Sequence, residues 1–346
     1  MKHTKTITVL MFALLFNATA ALADGMMLSA PYYYIEEYSQ QAVIQYDDES
    51  ATETISILPG FQSDVEEFAW ILPVPGLPEV EEGDDVLFRQ LRNFTRPKLH
   101  TRDSDWDGCQ RATFSPGEAL VDDGVNIIQN QLIGYYQTMT LSSDQAPALI
   151  DSLTQWGFLH DDNIDEATEL LNSYVEQDWY FITVKIDSTS FAESNPYFEH
   201  YGYYYGQLEP LKLSFASDEI IYPMRISSLS AAESTQVDLY VISDHRTTFP
   251  GATAHYANGF DESEINQINS NLYGTIRNLL EPGDYLTHLR KDFRPQDMTE
   301  DITIVQAEND DEYRMITYSG MPWMTLLFLG PPILWGVYRR LSPAGQ

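Results

Sequence analysis

The segment that most constrains the fold is residues 68–80, with the sequence FAWILPVPGLPEV. Its first five residues, Phe68 to Leu72, are all apolar, which is typical of a β-strand buried on both faces. Prolines then follow at positions 73, 75 and 78. Proline lacks the N–H group that a sheet ladder uses, and its ring fixes φ. We therefore expect the chain to leave a central strand here as an extended, polyproline-like segment.

The first 23 residues have the pattern of a secretory signal peptide. Lys2 and Lys5 give a positive start, residues 7–16 form an apolar run, and residues 21–23 form a small-x-small cleavage site before Asp24. An uncleaved N-terminal anchor is the alternative, although the apolar run is short for a membrane span. The pattern predicts export.

A second apolar segment, residues 321–338, contains no charged residue and is followed by Arg339 and Arg340. As a helix it would be roughly 27 Å long, which is enough to cross a hydrocarbon core. Arginines directly after a span hold the tail in the cytoplasm. We expect an extracytoplasmic ectodomain over 24–320, one transmembrane helix over 321–338 and a cytoplasmic tail over 339–346. A buried core helix, or a tail that is cut and replaced by a lipid, are the alternatives.

The chain has a formal net charge of −33, and removal of the signal peptide takes away two lysines and no acid, which leaves −35. This charge repels the phosphates of nucleic acid and of anionic lipids, so nucleic acid is excluded as a partner. Salt screens the self-repulsion, with a Debye length of ~3 Å at 1 M. The composition predicts a solvated acidic surface in a salt-adapted host. Cys109 is the only cysteine, so the fold must be stable without an intramolecular disulfide.

Runs of strands with short turns, interrupted by helices, predict an α+β fold with mainly antiparallel sheets in one compact ectodomain. We expect two intimately packed halves, about 24–120 and 121–320. The strands are expected at 41–46, 53–58, 65–72, 125–129, 133–141, 179–187, 211–215, 220–226, 237–242 and 301–305. The helices are expected from a cap at Asp84 or Asp85 to Pro97, from Ser143 to Gly157, over 164–175, and as one long helix over 265–279.

Several blocks of the chain occur in the order and spacing of a known family. After residues 68–80 and the helix with Leu87, Phe88 and Leu91, the matching blocks are 148–158, 174–185, 206–211, 221–225, 285–287 and 301–303. Together they resemble the bacterial family called domain of unknown function 2330, over nearly the whole ectodomain. The resemblance implies an exported, often membrane-anchored protein and implies no activity. Members often carry cysteines just after the signal peptide, but residues 25–28 are GMML here, so a role for such cysteines does not carry over.

The sharpest local motif is DSDWDG at residues 103–108. Asp103, Asp105 and Asp107 stand at positions 1, 3 and 5 of a calcium loop, with glycine at position 6 for the sharp turn. Position 12 is Phe114, where a bidentate glutamate is expected, although Glu118 could contribute. The motif is compatible with a calcium site and equally with a solvated acidic turn.

Other patterns are less specific. The seven histidines include no H-E-x-x-H, and the chain contains no G-x-S-x-G elbow, Walker loop or dinucleotide fingerprint. Asp244, His245 and His255 could meet across a hairpin, or be a loop and a strand end. Tyrosine-rich segments at 31–34 and 196–206 suit sugar or protein recognition, or packing over their own sheet.

The sequence thus predicts a membrane-anchored extracytoplasmic protein that acts by binding or as a structural surface protein, without a cofactor unless calcium binds. Its protein or glycan partner is not indicated. The alternative is an extracytoplasmic hydrolase with acidic catalytic residues, which cannot be picked out of 52 acids. A cluster of carboxyl groups with raised pKa in a concave pocket would favour the hydrolase.

Overall fold

The computed structural model describes residues 25–33, 35–64, 67–100, 129–133, 136–142, 146–161, 163–187, 199–200 and 203–318. The predicted signal peptide, the aspartates of residues 103–107, Cys109 and the predicted span 321–338 lie outside these residues. Within the described ranges, no helix is both long and apolar enough to cross a membrane.

The chain is a mixed α+β structure in which most strand pairs are antiparallel, as predicted. The helices are α1 (Asp85–Phe94), α2 (Ala146–Gln155), α3 (Ile164–Val175), α4 (Glu262–Gln267) and α5 (Ser270–Leu279), with 3-10 helices at Arg225–Leu229 and Pro295–Asp297. The strands are β1 (Met26–Ser29), β2 (Ile35–Asp47), β3 (Thr52–Ser63), β4 (Glu67–Val74), β5 (Glu79–Glu82), β6 (Lys98–His100), β7 (Gln129–Ile133), β8 (Tyr136–Leu141), β9 (Tyr180–Asp187), β10 (Glu199–His200), β11 (Tyr203–Gln207), β12 (Leu211–Ala216), β13 (Ile220–Tyr222), β14 (Ala231–Ser243), β15 (Thr247–Thr248), β16 (Thr253–Gly259), β17 (Tyr285–Phe293), β18 (Ile302–Gln306), β19 (Tyr313–Arg314) and β20 (Ile316–Tyr318).

Two large sheets contain most of the strands. One is five-stranded in the order β1-β4-β9-β8-β7. The other is ten-stranded in the order β10-β11-β3-β2-β14-β17-β16-β19, and β12 joins it by pairing with both β3 and β5. Within it, β2 and β14 run parallel. Strands from both sides of residue 120 therefore pair in each sheet, for example β4 with β9 and β3 with β12.

The apolar residues divide between the two faces of each sheet and produce four layers. Ile182, Val184 and Ile186 of β9 alternate onto the face that packs against the ten-stranded sheet, whereas Phe181 lies with α2 and α3 on the other face. The outer face of the ten-stranded sheet is covered by α1, α4 and α5. The layer order is therefore α2 and α3, the five-stranded sheet, the ten-stranded sheet, and finally α1, α4 and α5.

Strand β4 confirms the reading of the apolar run before the prolines. Residues Phe68 to Leu72 are each 0% exposed, because one face meets the inner core and the other meets α2 and α3. Pro73 nevertheless still belongs to the strand, opposite Phe181. The neighbouring strand β1 pairs only as far as Ile71, and a proline is tolerated where a strand has a partner on one side.

The predicted helix over 84–97 is confirmed. Asp84 is the N-cap, and its side chain accepts a hydrogen bond of 2.7 Å from the N–H of Val86. Leu87, Phe88 and Leu91 are the buried residues of α1. The predicted end of α2 is also confirmed, because Gly157 has a φ of +81°, which is the left-handed conformation that favours glycine at a helix end.

The predicted long helix over 265–279 is wrong. Ile268 is extended, with φ −62° and ψ 124°, and the side chain of Asn269 then caps α5. The apolar stripe is also interrupted, since Leu272 is 58% exposed. An asparagine followed by a serine within a helical pattern is a cap signal that competes with the apolar periodicity.

Two strand predictions also need correction. The predicted strand 220–226 ends at Tyr222, and a 3-10 helix begins at Arg225, because Pro223 cannot donate to the ladder. Strands β16 and β17 were not predicted. Both lie in the ten-stranded sheet, and polar residues such as His288 and Arg290 interrupt the apolar alternation of β17.

Candidate functional site

An open cavity of about 770 Å³ lies between α3 and the 3-10 helix Arg225–Leu229. We call it the α3 cavity. Its volume is within the range of small-ligand sites. The residues that line it are Asp165, Glu166, Thr168, Glu169, Leu170, Asn172, Ser173, Glu176, Arg225, Ser228 and Leu229.

Helical periodicity explains why α3 presents a polar wall to this cavity. Ala167, Leu171 and Tyr174 are buried against the five-stranded sheet, so the residues between them face outward. The wall carries the carboxylates of Asp165, Glu166, Glu169 and Glu176, whereas the opposite side contributes the single cation Arg225. A concave surface lined mainly by one sign of charge concentrates ions of the opposite sign.

A partly buried hydrogen-bond cluster holds the two walls of the cavity together. The hydroxyl of Tyr174 donates to Oδ1 of Asp301 over 2.8 Å and accepts from the N–H of Ile226 over 2.9 Å. The N–H of Arg225 donates to the same Oδ1 over 2.9 Å. Burial raises the pKa of Asp301, although these hydrogen bonds oppose the rise. The 3-10 helix is thus fixed to α3.

Arg225 is positioned by its backbone and by an aromatic ring. Its guanidinium carbon lies 5.5 Å from the centroid of the Tyr174 ring, a cation–π distance. Among the described residues the guanidinium has no hydrogen-bond or ion-pair partner. Its donors are therefore available to a ligand.

A second polar cluster lies on the outer face of the ten-stranded sheet, around Asp238. Oδ1 of Asp238 is 2.7 Å from Nε2 of His288 and 2.7 Å from Nε of Arg290, and Oδ2 accepts from Nη2 of Arg290 over 3.0 Å. The amide of Gln236 donates to Oδ2 over 2.8 Å. Burial by itself would raise the pKa of Asp238, but the hydrogen bonds from His288 and Arg290 outweigh it and lower the pKa.

The Asp238 cluster extends to a hydroxyl and so has the composition of a catalytic triad. Nδ1 of His288 is 3.0 Å from Oγ1 of Thr95. However, Thr95 is 0% exposed, and its hydroxyl donates to the carbonyl of Leu91 over 2.9 Å. A nucleophile must reach its substrate, so this arrangement instead ties the end of α1 to the sheet.

The histidines that the sequence singled out have different partners. Nδ1 of His245 is 2.9 Å from Oδ2 of Asp310 on the surface. The ring of His255 lies 5.2 Å from the ring of His288. Burial, followed by the charges of His288 and Arg290, lowers the pKa of His255 to about 4. His245 thus belongs to a loop after β14, and His255 to strand β16.

Glu53 of β3 is the most deeply buried carboxyl group with a perturbed pKa. It is 0% exposed. Its Oε2 accepts from the N–H of Ile221 over 2.9 Å, and its Oε1 has no hydrogen-bond partner among the described residues. Burial raises its pKa to about 8. The alternation with Ile55 and Ile57 on the inner face was a sequence signal for this burial, because residues i, i+2 and i+4 of a strand share a face.

Among the residues that the structure describes, the carboxyl groups with raised pKa do not gather in the α3 cavity. These groups are Glu36, Glu53, Glu209, Asp284 and Asp301. None of the five lines the cavity. They lie on β2, on β3, in the segment between β11 and β12, before β17 and before β18.

The predicted metal site cannot be placed, because Asp103, Asp105 and Asp107 lie outside the described residues. Within the part of the chain that the structure describes, no group of three or more His, Cys, Asp or Glu is arranged to hold a metal ion.

The predicted aromatic loop 196–206 contributes the short hairpin of β10 and β11, with Glu199 opposite Tyr204. Neither motif pointed to the α3 cavity, whose only sequence signal is the run of acids on the polar face of α3.

The family model described as "Uncharacterized protein conserved in bacteria (DUF2330)" matches residues 18–305. The chain therefore belongs to this family, and the resemblance of its sequence blocks is confirmed. A comparison with curated proteins finds no match. Among solved structures, the chain is similar to baculovirus P35, with a TM-score of 0.35 and 10% identity over 83% of this chain and 98% of that chain. It is also similar to a mutated baculovirus P35 after caspase cleavage, with a TM-score of 0.34 and 9% identity over 80% of this chain and 99% of that chain.

Proposed function

We propose that this member of the DUF2330 family is a membrane-anchored, extracytoplasmic binding protein whose α3 cavity takes a cationic ligand. The observation that carries the proposal is the lining of the cavity, in which Asp165, Glu166, Glu169 and Glu176 outnumber Arg225. The anchor is residues 321–338, and the cell membrane is the expected location. Nucleic acid is not an expected partner, because the chain carries a net charge of −33.

The ligand class follows from the spacing of the charges. Asp165 and Glu176 are separated by three turns of α3, which is roughly 16 Å along the helix axis. One compact cation cannot contact acids over that length, whereas a peptide rich in lysine or arginine can. The free donors of Arg225 suit a peptide carbonyl or carboxylate. We therefore propose a basic peptide or protein segment as the ligand.

Binding is better supported than the alternative of an acid-catalysed hydrolase. Such a hydrolase needs a general acid with raised pKa near a second carboxylate at the substrate. In the described ranges, the carboxyl groups with raised pKa lie outside the cavity lining. The nearest of them, Asp301 beneath the cavity, already accepts hydrogen bonds from Tyr174 and from the backbone of Arg225.

Two further parts of the proposal concern ions. The acidic composition is proposed to be an adaptation to high salt. Asp103, Asp105 and Asp107 are proposed as a calcium site, and millimolar calcium should then stabilise the chain more than sodium of equal ionic strength does. Asp105→Ala should remove the calcium-specific part, and an unchanged response in the variant would leave only a solvated turn.

The anchor is tested on membranes from cells that express the full chain. The mature protein should begin at Asp24 by mass spectrometry and remain in the membrane fraction after a carbonate wash. Removal of residues 321–346 should release it. Recovery of the full chain as a soluble cytoplasmic protein would contradict the anchor.

The ligand site is tested by titrating the full chain, in nanodiscs of neutral lipid, with fluorescent tetralysine at low salt. Glu166→Gln with Glu169→Gln should weaken binding by about 2- to 30-fold, because exposed ion pairs contribute roughly 0.2–1 kcal/mol each. The matched control is Glu262→Gln with Glu281→Gln on the opposite outer layer, since both pairs are exposed and each contains one glutamate from the first turn of a helix. An equal loss in the control would mean that tetralysine binds the acidic surface diffusely.

A further inference from the structure

Of the thirteen described lysines and arginines of this acidic chain, five form ion pairs with acids. The ion pairs are Arg89 with Asp85, Lys185 with Glu67, Lys212 with Glu81, Arg290 with Asp238, and Arg294 with Asp297. The other eight form no ion pair with a described acid, and four of these eight lie together near the end of α1: Arg92, Arg96, Lys98 and Arg314. We call these four residues the α1 basic patch.

Hydrogen bonds show that the patch is one surface. Nε of Arg314 donates to the carbonyl of Arg96 over 3.1 Å, and Nη2 of Arg314 donates to the carbonyl of Phe94. The N–H of Lys98 donates to the carbonyl of Met315 over 2.9 Å. The last turn of α1 adds Arg92, whose guanidinium donates to Gln41 over 3.3 Å. Arg92, Arg96 and Lys98 are exposed, and Arg314 is partly buried.

The surroundings of the patch contain both signs of charge. Arg290 on the neighbouring strand β17 is paired with Asp238. Asp310, Asp311 and Glu312 precede the strand of Arg314, and Asp310 is paired with His245. Four cations without an ion pair against the remaining two carboxylates leave a local positive charge in a chain whose net charge is −33.

The patch lies close to the predicted membrane span along the chain. Strand β6, which begins with Lys98, pairs in parallel with β20, which ends at Tyr318. Residue 321 follows three positions later, and three residues reach at most about 10 Å. A membrane that holds residues 321–338 would therefore have its surface near β6 and β20.

We propose that the α1 basic patch contacts anionic phospholipid headgroups of the membrane that holds the chain, which rests on the proposed anchor. Arginine forms paired hydrogen bonds with phosphate oxygens, and each lysine or arginine near an anionic surface strengthens attachment by about fivefold. The expectation that the acidic chain repels anionic headgroups then holds for the rest of its surface. Contact through α1 would turn the opposite outer layer, with the α3 cavity, away from the membrane.

The test uses the full chain in nanodiscs of phosphatidylcholine, with and without phosphatidylglycerol, at about 0.1 M salt, where the Debye length is ~10 Å. Hydrogen exchange of the backbone over residues 92–100 and 313–318 should be slower in the anionic discs. Arg96→Gln with Lys98→Gln should remove this difference, because two lost cations lower headgroup occupancy by about 25-fold. Lys185→Gln with Lys212→Gln removes the same charge from surface sites on other strands and should keep it.

Exchange that is equal in both kinds of disc, or a loss that is equal in both double variants, would overturn the proposal. Inorganic phosphate is added to neutral discs as a further arm, and full protection there would make the patch a phosphate site. If carbonate releases the chain, the anchor has failed separately. The released chain is then sedimented with phosphatidylglycerol vesicles. If the released chain binds these vesicles and Arg96→Gln with Lys98→Gln abolishes the binding, the patch still contacts anionic headgroups. If the released chain does not bind, the proposal is wrong.

Discussion

The two outer layers of the molecule are built alike but hold their charges differently. Both pack amphipathic helices on a sheet. Around α1, the acid Asp238 is buried and receives hydrogen bonds from two basic side chains, His288 and Arg290. Around α3, four carboxylates stand exposed at a cavity, and the partly buried acid beneath them, Asp301, receives hydrogen bonds from Tyr174 and a backbone N–H.

The difference shows that the pKa of these acids depends on whether their donors outweigh burial, which they do at Asp238 and do not at Asp301. Burial acts on both, yet the pKa of Asp238 is lowered and that of Asp301 is raised. The buried charge of Asp238 is thus used to hold the end of α1 to the sheet through His288 and Thr95. Charge on the α3 layer is not matched within the described residues and is available to a ligand.

Glu53 is a buried acid whose pKa is not lowered by any cation. Its effect on stability is expected to be the largest. Its folded pKa of about 8 lies above the ordinary value of 4.5, so the folded state retains a proton that the unfolded state releases. Stability should be fully present below pH 4.5 and fall as the pH rises to 8, by up to roughly 5 kcal/mol. Glu53→Gln should remove this loss. Urea unfolding of the parent and variant across this range measures it, and parallel pH curves would contradict it.

Replacement of Asp238 should have the next largest effect. Asp238→Asn leaves Arg290 and His288 without a counter-charge and turns an N–H₂ group toward their donors, which should cost about 3–5 kcal/mol in the free energy of unfolding. The pKa of Asp238 is lowered in the folded state, so its contribution is present above the unfolded pKa and is lost as the pH falls through the folded one. The cost of the variant should therefore shrink in acid. A cost that is the same at low and neutral pH would show that the charge is not the cause.

Asp301→Asn is the matched comparison on the other layer and should cost only ~1 kcal/mol. The hydrogen bonds from Tyr174 and from the N–H of Arg225 go to a single oxygen, Oδ1, and an asparagine oxygen accepts both. The backbone of Met224 forms a further hydrogen bond with this carboxyl group. If Asp301→Asn lowers the free energy of unfolding as much as Asp238→Asn does in the same assay, the two layers do not differ in how they hold their acids.

The smallest expected effect is that of salt on stability, which should differ between the two layers. Repulsion among exposed carboxylates weakens as ionic strength rises, so the melting temperature of the full chain should climb by a few degrees toward molar salt. The cost of Asp238→Asn should change little, because that pair is buried. A flat melting temperature would show that the acids are already paired or dispersed, and salt adaptation would be the wrong explanation.

Local patterns predicted the elements that local residues decide. The cap at Asp84, the end of α2 at Gly157 and the double burial of β4 follow from short-range chemistry. Long-range strand pairing could not be predicted from local patterns. Strand β17 lies between β14 and β16, and its polar residues form their contacts with residues of other strands. His288, for example, has Asp238 and Thr95 as partners at 50 and 193 residues along the chain.

The candidate site could be predicted only in part for a similar reason. The acids of α3 are visible as one polar helical face, but the opposite wall at Arg225 is brought there by Tyr174 and Asp301. Glu53 lies inside the strand predicted over 53–58, but its burial was not predicted, although its alternation with Ile55 and Ile57 was a signal for it. The hydrogen bond from Ile221 that holds it depends on tertiary structure.

The most direct test of the α3 cavity as the ligand site is a hydrogen-exchange footprint of the full chain with and without tetralysine. We expect slower exchange over residues 164–176 and 225–229. This protection should be lost in Glu166→Gln with Glu169→Gln and kept in Glu262→Gln with Glu281→Gln. Protection spread over the acidic surface, or centred on another layer, would contradict the assignment of this cavity as the binding site.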